Sequence, residues 1–515
     1  MSEVVTPPEL VFHTAAEIQD LTAELRRHTE SQLFRQSLAK RREQLEALFH
    51  MIDNHRAEWQ AALSADLNKC THESEMCELR PVQREISTAL AQLDSWCKPK
   101  YPAKELLYTT MTLETRSTPL GMVLLVGPWN YPVRLLLKPL AGALAAGNTV
   151  ILKPSELAVH TAALVQRLVA RYLDPAVCQV VLGGAAQTTS LLTHQFDHIL
   201  FTGSGRVGQI VLRAAAEFLT PVTLELGGKS PTVVLDDVDP LVVARRIVWG
   251  KMLNAGQTCV APDYILCSAA METKLIATMK QVLTEFYPNG LRRSESYCRI
   301  INPRGYQRLS ELVATAKDSH TVIGDRSEWN DNERFVPLMV MTDVPEDSPL
   351  MQEEIFGPLL PIVRAETTDD MIAYINKRPH PLSLYVFTNN RAQSDRIIGH
   401  TKSGSVCVND IAMQIEAISL PFGGVGASGM GCYNSIYTFN TFSHVRSVAT
   451  NPLRFPPDSA WKVRYPPFEG SQNRWKESII TYLLSSSIPR RFSWGKLITF
   501  FKVSVLATVL AYFLA

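Results

Sequence analysis

The sequence predicts an α/β protein with two doubly wound lobes, and three patterns along the chain support that fold class. Residues 15–98 are rich in Ala, Leu, Glu, Gln and Arg, and their apolar positions recur every three or four residues, as in helices. From Pro119 to Leu235, short apolar runs alternate with helical segments at the spacing of a parallel sheet. A second alternation of strands and helices runs from about Pro240 to Gly424. We therefore expect a helical N-terminal region followed by two sheets.

Individual strands and helices can be predicted within the first alternation. The apolar run at residues 122–126 ends at Gly127-Pro128, which indicates a buried parallel strand that stops at a turn. Residues 108–117 alternate Thr, Leu and charged residues, which is typical of an exposed or bridging strand. The other predicted strands are 149–152, 177–182, 198–201, 223–225 and 232–235, and the predicted helices are 135–146, 158–172 and 206–218.

The composition excludes several classes of protein. With 515 residues the chain is long enough for two or three lobes, and its hydrophobic fraction of 46% supplies large cores. Lys and Arg number 51 against 50 Asp and Glu, so the net charge of +1 gives no electrostatic reason to expect a nucleic-acid partner. The nine cysteines are odd in number and form no Cys-x-x-Cys motif, which argues against a disulfide scaffold and a metal site. They fit a reducing compartment.

The end of the chain has a different composition. Residues 452–496 are rich in Pro, aromatic and basic residues and include a predicted amphipathic helix at 473–484. Residues 497–515 are apolar except for Lys502, and as a helix they span about 28 Å, close to the thickness of a bilayer core. Basic residues precede this segment, which favours a membrane-spanning tail anchor. A buried core helix is the alternative.

The loop Asn254-Ala-Gly-Gln-Thr-Cys259 has the clearest chemical meaning of any segment. Its small residues leave the thiol of Cys259 sterically open, and an accessible thiolate is a strong nucleophile near neutral pH. Most single cysteines are instead small buried hydrophobes. A second motif, Leu224-Glu225-Leu-Gly-Gly-Lys-Ser, places one carboxylate between two leucines. Apolar surroundings raise the pKa of a carboxyl group, which suits a general base.

The glycine-rich loop Phe201-Thr-Gly203-Ser204-Gly-Arg-Val-Gly208 follows a predicted strand and opens a predicted helix. Its pattern, Gly-x-Gly-x-x-Gly, binds the pyrophosphate of a dinucleotide at a helix N-terminus in many proteins. An acidic residue about twenty positions later usually binds the ribose, and Glu225 stands near that distance. The roles of ribose ligand and general base therefore compete for this one residue. Lys153 and Glu156, at the end of an earlier strand, are a second candidate pair for the ribose hydroxyls.

Three further motifs are weaker when taken singly. The turn Pro128-Trp-Asn130-Tyr-Pro is rigid, and the amide of Asn130 can stabilise a developing oxyanion, although asparagine is also a common turn residue. Glu354-Ile-Phe356-Gly-Pro combines a carboxylate, an aromatic ring and a turn. The glycine-dense loop at 420–429 is able to approach a ligand closely.

Together and in this order, the motifs are similar to those of the aldehyde dehydrogenase superfamily. The resemblance covers residues 20–450, and the Pro-Trp-Asn-Tyr-Pro turn and the Cys259-Val-Ala-Pro-Asp-Tyr sequence resemble its class 3 branch. The apolar tail resembles that of the membrane-bound fatty aldehyde dehydrogenases. The resemblance implies NAD(P)-dependent oxidation of lipophilic, medium- to long-chain aldehydes to carboxylic acids. An apocarotenal or another lipophilic secondary metabolite is the alternative substrate, and a catalytically idle membrane scaffold is the alternative from another class.

The resemblance also implies a role for each motif residue. Cys259 attacks the aldehyde, Asn130 and the Cys259 backbone N–H stabilise the oxyanion, and Glu225 activates water to hydrolyse the thioester. For Glu225 this favours the general base over the ribose ligand. The implied cofactor is NAD, with NADP possible, because Glu156 repels a 2′-phosphate while Lys153 reduces that repulsion. The implied cofactor-binding residues are Lys153 and Glu156 at the ribose, Glu354 and Phe356 at the nicotinamide, and Gly203, Ser204 and Gly208 in the glycine-rich loop. Within that loop, Gly205 departs from the family pattern.

The same resemblance implies the partners and the division of the chain. We expect a lipophilic aldehyde substrate, a homodimer, and a tail anchor that holds the catalytic domains on the cytosolic side of the endoplasmic reticulum or another organelle. The expected parts are a Rossmann-like cofactor-binding domain at 1–102 and 123–225, a Rossmann-like catalytic domain at 226–435, a bridging and oligomerisation β element at 103–122 and 436–451, a linker at 452–496, and the anchor at 497–515.

Overall fold

The described residues of this computed structural model form two compact units. The larger unit contains the described residues up to 98 and those within 117–444, and the smaller contains the described residues within 99–116 and those after 444. Both of the predicted sheets belong to the larger unit. The residues that the structure describes are 8–32, 37–105, 108, 110–316, 319–453 and 462–485.

Helices dominate the first hundred residues and connect the strands farther along. The helices are α1 (Ala15–Gln32), α2 (Leu38–Asn54), α3 (Arg56–Leu67), α4 (Thr71–Ser74), α5 (Arg80–Cys97), α6 (Arg134–Ala146), α7 (Val159–Tyr172), α8 (Ala185–Leu191), α9 (Gly205–Ala216), α10 (Pro240–Met252), α11 (Ala269–Phe286), α12 (Pro303–Thr315), α13 (Pro349–Gln352), α14 (Thr368–Asn376), α15 (Arg391–His400), α16 (Ile436–Thr441) and α17 (Arg474–Ser485). The strands are β1 (Thr112–Pro119), β2 (Met122–Val126), β3 (Thr149–Lys153), β4 (Cys178–Val180), β5 (His198–Thr202), β6 (Val222–Glu225), β7 (Pro231–Val234), β8 (Tyr264–Cys267), β9 (His320–Ile323), β10 (Met339–Thr342), β11 (Leu359–Arg364), β12 (Ser383–Phe387), β13 (Ser405–Val408), β14 (Gly429–Met430) and β15 (Ser443–Thr450).

The first sheet has six strands in the order β14-β6-β5-β2-β3-β4. Strands β2 to β6 are parallel, and the short β14 pairs antiparallel with β6. Because parallel strands end at the same edge of a sheet, the segments after β2, β3, β5 and β6 lie together at its carboxyl edge. This edge carries Asn130, the Lys153–Glu156 segment, the glycine-rich loop and Glu225.

The second sheet has seven strands in the order β13-β12-β7-β8-β11-β10-β9. Its paired strands are parallel, except that β9 is antiparallel to β10. In this sheet the motif residues precede the strands, since Lys229 comes before β7, Cys259 before β8 and Glu354 before β11. These motifs therefore lie at an amino edge, whereas those of the first sheet lie at a carboxyl edge.

Apolar side chains cover both faces of the first sheet, as its continuous apolar runs predict. In β2, Val123 and Leu125 belong to one buried cluster, with α2, α3, α5, α6 and α7. Met122, Leu124 and Val126 belong to a second cluster, with α1, α8 and α9. Successive residues thus pack on opposite faces, and neither face is left to solvent.

Most predicted strands and helices match the structure to within one or two residues. The strand predicted at 177–182 is shorter in the structure, where β4 spans Cys178–Val180. One further hydrogen bond to β3 follows it, from the N–H of Val181 to the carbonyl of Leu152 at 2.8 Å. Gly183 and Gly184 follow and turn the chain. The predicted strand at 108–117 begins later, at Thr112, and pairs with β15 in a two-stranded sheet. That sheet is the small β element expected in addition to the lobes.

The smaller unit also contains the predicted amphipathic helix, as α17. Its apolar residues Trp475 and Ile479 are 46% and 38% exposed, so they form a solvent-facing side rather than a packed one. The Lys476 ammonium donates to the carbonyls of Tyr465 and Pro467, which ties the helix to the segment before it.

The C-terminal membrane helix remains a prediction. Its residues, 497–515, lie outside the described part of the chain. Among the residues that are described, no helix is both long enough and apolar enough to cross a membrane.

Gly429 provides a test of the edge of the first sheet. Its φ is +134°, and a Cβ placed there would lie 2.0 Å from the carbonyl oxygen of Leu224 in β6. We expect Gly429→Ala to destabilise the protein by about 2 kcal/mol or more, because both the backbone and the strand pairing are strained. Thermal unfolding at a fixed scan rate measures this.

Gly399→Ala is the matched control, since Gly399 lies in α15 with no atom within 4 Å of the added Cβ. Alanine is the better helix former, so this variant should be at least as stable as the wild type. Equal unfolding temperatures for the two variants would contradict the close approach of β14 to β6.

Candidate active site

Cys259 lies in a strained loop between α10 and β8. Asn254 and Ala255, just before it, have φ values of 50° and 52°, which L-residues rarely adopt. Gly256 follows with φ +75°, and a Cβ there would lie 2.3 Å from the carbonyl oxygen of Gly357. The cysteine loop is therefore packed directly against the Glu354-Ile-Phe-Gly-Pro motif, and such strain is typical of functional sites.

Two cavities meet at Cys259. A cleft of about 840 Å³ is lined by residues from both sheet edges and includes the cysteine. A second cavity of about 450 Å³ lies on another side of Cys259 and is lined mostly by apolar side chains. The predicted site residues that line the cleft are Asn130, Gly203, Ser204, Glu225, Cys259, Glu354 and Phe356.

The carboxylate of Glu225 is buried beside the thiol. The residue is 1% exposed, and neither carboxylate oxygen accepts a hydrogen bond from any described residue. Burial raises the pKa of Glu225 to about 7, an effect that the nearby Cys259 thiol and Thr202 hydroxyl partly offset. Burial also raises the pKa of Cys259 well above its usual range, and the charges of Glu225 and Glu354 raise it further. These surroundings therefore favour the protonated thiol over the thiolate.

Asn130 is fixed by hydrogen bonds to residues of two other segments, the cysteine loop and the segment that carries Lys69. Its side-chain Nδ2 donates to the carbonyl of Gln257 at 3.1 Å, which brings the amide to the cysteine loop. Its backbone carbonyl accepts bonds from Asn254 Nδ2 and Lys69 Nζ, each at 2.8 Å. One amide hydrogen is used by Gln257, and the second is available to a ligand in the cleft.

Lys69 and Glu78 form a buried ion pair behind Asn130. The Nζ–Oε1 distance is 2.5 Å, and both side chains are fully inaccessible. The other oxygen of Glu78 accepts the N–H groups of Val133 and Arg134 at the start of α6, at 3.2 and 2.9 Å. Glu78 lies in a π-helical turn, Glu75–Leu79, a form that is frequent at functional sites.

Lys229 and Asp263 hold the loop that carries Glu354. Their side chains form an ion pair at 2.5 Å, and the backbone N–H of Ile355 donates to Asp263 Oδ1 at 3.1 Å. Phe356 has φ 49° and packs edge-on against Trp129, with ring centroids 5.4 Å apart. Burial and the Asp263 charge raise the pKa of Glu354 to about 8.

The glycine-rich loop at one end of the cleft leaves the start of α9 open to a ligand. Ser204 Oγ caps α9 by accepting the N–H of Val207, and a Cβ at Gly205 would meet nothing within 4 Å. The exposed first turn of a helix offers free N–H groups to a phosphate. Gly208 has a different role, because a Cβ there would lie 2.8 Å from Leu226 Cδ2, so it allows close packing under the loop.

The predicted ribose pair stands apart from the cleft lining. Lys153 Nζ and Glu156 Oε2 form an ion pair at 2.9 Å at the end of β3, and neither residue lines the cleft. Gly184 lies beside them, since a Cβ there would be 3.9 Å from Glu156 Oε1. No cluster of His, Cys, Asp or Glu in the described ranges could hold a metal ion.

The sequence predictions missed the residues that support Asn130 and those of the second cavity. Lys69 and Glu78 belong to no motif and reach the site only through folding. Arg134 and Lys138 did leave a signal, because two cations one turn apart are unusual in the otherwise apolar helix α6. Both are buried and line the second cavity.

The electrostatic coupling between Glu225 and Cys259 can be tested directly. Glu225→Gln should lower the pKa of the thiol and accelerate alkylation of Cys259 by iodoacetamide at neutral and alkaline pH, because a like charge is removed. Mass spectrometry of the Cys259 peptide measures the rate. Glu285→Gln, on the exposed face of α11, should leave the rate unchanged. Slower alkylation in Glu225→Gln would mean that the carboxylate deprotonates the thiol instead of opposing its ionisation.

Comparisons with known proteins agree with this geometry. The aldehyde dehydrogenase family profile matches residues 12–448. The "Aldehyde dehydrogenase, dimeric NADP-preferring" of Rattus norvegicus is 45% identical over 431 residues, covering 84% of this chain and 94% of the rat protein. Aldehyde dehydrogenase family 3 member A2 of Mus musculus is 45% identical over 436 residues, covering 84% and 88%. The substrate-bound structure of Staphylococcus aureus AldH has a TM-score of 0.86 and 38% identity, covering 90% of this chain and 99% of that one.

The matched region includes both sheets and every predicted site residue. The predictions of the family, its class 3 branch, enzymatic activity and a nicotinamide cofactor are confirmed. This chain belongs to the aldehyde dehydrogenase family and is an NAD(P)-dependent aldehyde dehydrogenase related to its family 3 members.

Proposed function

We propose that this enzyme oxidises lipophilic aldehydes of medium to long chain to carboxylic acids. The observation that carries the proposal is the position of Cys259, whose side chain lines both the dinucleotide-sized cleft and the second cavity. The second cavity is walled largely by Met76, Tyr131, Trp249 and Phe422. Such walls take up an alkyl chain by excluding water from it.

The first chemical step is the attack of the Cys259 sulfur on the aldehyde carbonyl carbon. The thiol proton passes to water in the cleft as the C–S bond forms, and the π electrons of the carbonyl move to its oxygen, which becomes the oxyanion of a thiohemiacetal. The free amide hydrogen of Asn130 and the backbone N–H of Cys259 are the donors for that oxyanion. When bound, the nicotinamide supplies the acceptor for the hydride that leaves this carbon, and a thioester remains on Cys259.

Glu225 is the general base of the second half-reaction. Its carboxylate takes a proton from water, and the resulting hydroxide attacks the thioester carbonyl. The C–S bond then breaks, the carboxylic acid departs, and the sulfur takes the proton that Glu225 had received, which restores the carboxylate. A pKa of about 7 suits this role, because about half of the groups are then ionised near neutral pH and the carboxylate is more basic than an exposed one.

The remaining motif residues bind the cofactor in this proposal. Glu354 and Phe356 hold the nicotinamide ribose and ring, and the first turn of α9 with Gly203 and Ser204 receives the pyrophosphate. The Lys153–Glu156 pair binds the adenosine ribose, and the Glu156 charge disfavours a 2′-phosphate, so NAD is preferred over NADP. The residues at 123–225 then form the core of the cofactor domain, and those at 226–435 form the catalytic domain.

We also propose a homodimer and a membrane-anchored location. Side chains along β15 are mostly exposed, so this strand offers a surface for pairing, and the rat relative is named a dimeric enzyme. Residues 497–515 are apolar and follow Arg490, Arg491 and Lys496, which suits a tail anchor with the catalytic domains in the cytosol.

Cys259→Ser tests the nucleophile. We expect kcat for octanal to fall about a thousandfold or more, because an alcohol is a far weaker nucleophile than a thiol at neutral pH. Production of NADH measures turnover, and NADH fluorescence checks that the cofactor still binds. The matched control is Cys432→Ser, which lies outside both cavity linings and should keep normal turnover. Activity within tenfold of wild type in Cys259→Ser would overturn the assignment.

Glu225→Gln tests the base. The first turnover should give a burst of NADH, and the steady state should be slow, because the thioester is no longer hydrolysed efficiently. In the wild type, deacylation should slow as pH falls through about 7, where Glu225 gains its proton, and should level off above that pH. Loss of the burst together with loss of NAD binding would instead make Glu225 a ribose ligand.

Deletion of residues 497–515 tests the anchor. The full-length chain should pellet with membranes after carbonate extraction, and the truncated chain should remain in the supernatant with its activity on short aldehydes intact. Octanal oxidation is assayed in each fraction. A full-length chain that stays soluble contradicts the anchor, and a truncated chain that is soluble but inactive makes the segment part of the catalytic fold.

A further inference from the structure

The second cavity has a cationic wall as well as apolar ones. Its charged lining residues are Arg80, Arg84, Arg134, Lys138 and Glu416, so positive groups outnumber negative ones four to one. A purely hydrocarbon substrate gives no reason for this excess. Charged groups that line a cavity focus the field inside it and favour a ligand of opposite sign.

Most of these cations already have partners. Arg134 Nη1 forms an ion pair with Glu416 Oε1 at 2.5 Å, and Arg84 approaches the same carboxylate at 3.5 Å. Arg80 pairs with Glu75 at 3.1 Å. Their charges are therefore largely committed to the protein itself.

Lys138 differs from these arginines in having no partner. It lies one turn after Arg134 on α6 and is 3% exposed, and no described residue forms a hydrogen bond or ion pair with its ammonium group. Burying an ammonium group without a partner is unfavourable. The charge of Glu85 acts on it, but Glu85 Oε1 accepts bonds from Ser435 and Thr438, and its buried Oε2 has no partner among the described residues, so this carboxylate does not form an ion pair with Lys138. Lys138 thus presents an unpaired cation to the cavity that also contains Cys259.

We propose that the preferred substrates are aldehydes with a carboxylate at the far end of the carbon chain, and that Lys138 binds this carboxylate. The inference rests on the proposed function of Cys259, which places the aldehyde at one end of the cavity. The apolar walls hold the methylene groups between the two ends. A single unpaired cation matches a single negative charge, whereas a doubly charged phosphate would also be repelled by Glu416.

The preference for the charged substrate should depend on pH, because Lys138 must be protonated to attract a carboxylate. Burial, together with the charges of Arg134 and Arg84, lowers the pKa of Lys138 to about 8, whereas Glu85 and Glu416 act in the opposite direction. The ammonium form dominates below that pH. Preference for the charged substrate should therefore be greatest near and below neutral pH and should decline as the pH rises above about 8.

The test compares azelaic semialdehyde with its methyl ester, which has the same chain but no charge. In the wild type, kcat/KM should be higher for the acid, and Lys138→Met should lower the acid-to-ester ratio about tenfold or more, the usual effect of losing a charge-assisted hydrogen bond. Lys138→Arg should retain most of the ratio. Lys280→Met, an exposed change on α11, is the matched control and should not alter it. If Lys138→Met does not fold, Lys138→Gln replaces it.

Each outcome separates this inference from the proposed function. If acid and ester lose kcat/KM equally in Lys138→Met, the lysine is structural and the inference is wrong, although the oxidation of both supports the proposed function. If neither aldehyde yields NADH, the proposed function fails. Calorimetric binding of azelate and its monomethyl ester then decides the inference alone. Tighter binding of azelate that Lys138→Met abolishes supports it, and equal binding of the two overturns it.

Discussion

The buried ion pair of Lys69 and Glu78 is the interaction on which the candidate active site depends. Both side chains are fully buried, so each charge is stabilised only by its partner and by hydrogen bonds. Removal of one partner of such a pair lowers the free energy of unfolding by about 3–5 kcal/mol. Lys69 also binds the carbonyl of Asn130, and Glu78 binds the first N–H groups of α6 at Val133 and Arg134. One pair therefore fixes Asn130, the proposed oxyanion donor, and the helix that forms a wall of the second cavity.

Three acidic groups lie at the candidate site, the carboxyl groups of Glu225 and Glu354 and the thiol of Cys259, and each affects the ionisation of the others. Burial raises the pKa values of Glu225 and Glu354, and each carboxylate charge opposes formation of the Cys259 thiolate. No described residue donates a hydrogen bond to Glu225. Ionisation of one of these three groups therefore disfavours ionisation of the other two, and protonation of one carboxylate makes the thiol easier to ionise.

Local patterns in the sequence were sufficient to predict the strands and helices of the first sheet and the motifs that line the cleft, whereas the second sheet was predicted only as an alternation of strands and helices. Apolar runs and turns are local signals, and β2, β3 and α6 follow from them. Contacts between distant segments leave no such signal. Lys69 meets Asn130 across sixty-one positions, and Lys138 is recognisable as an unpaired cation only when its surroundings are known. The sequence also did not reveal which edge of the second sheet faces the site. Ligands usually bind at the carboxyl ends of parallel strands, whereas Cys259 precedes its strand β8.

The glycine-rich loop shows why spacing alone could not assign Glu225. The residue stands where a dinucleotide-binding fold often has its ribose ligand, at the end of the next strand. A ribose ligand needs oxygens that are open to the hydroxyls, whereas Glu225 is 1% exposed and influences the thiol of Cys259 directly. Lys153 and Glu156 form an ion pair at the end of β3 instead, with Glu156 still partly exposed. Burial, which sequence spacing does not reveal, separates the two roles and favours Glu225 as the base.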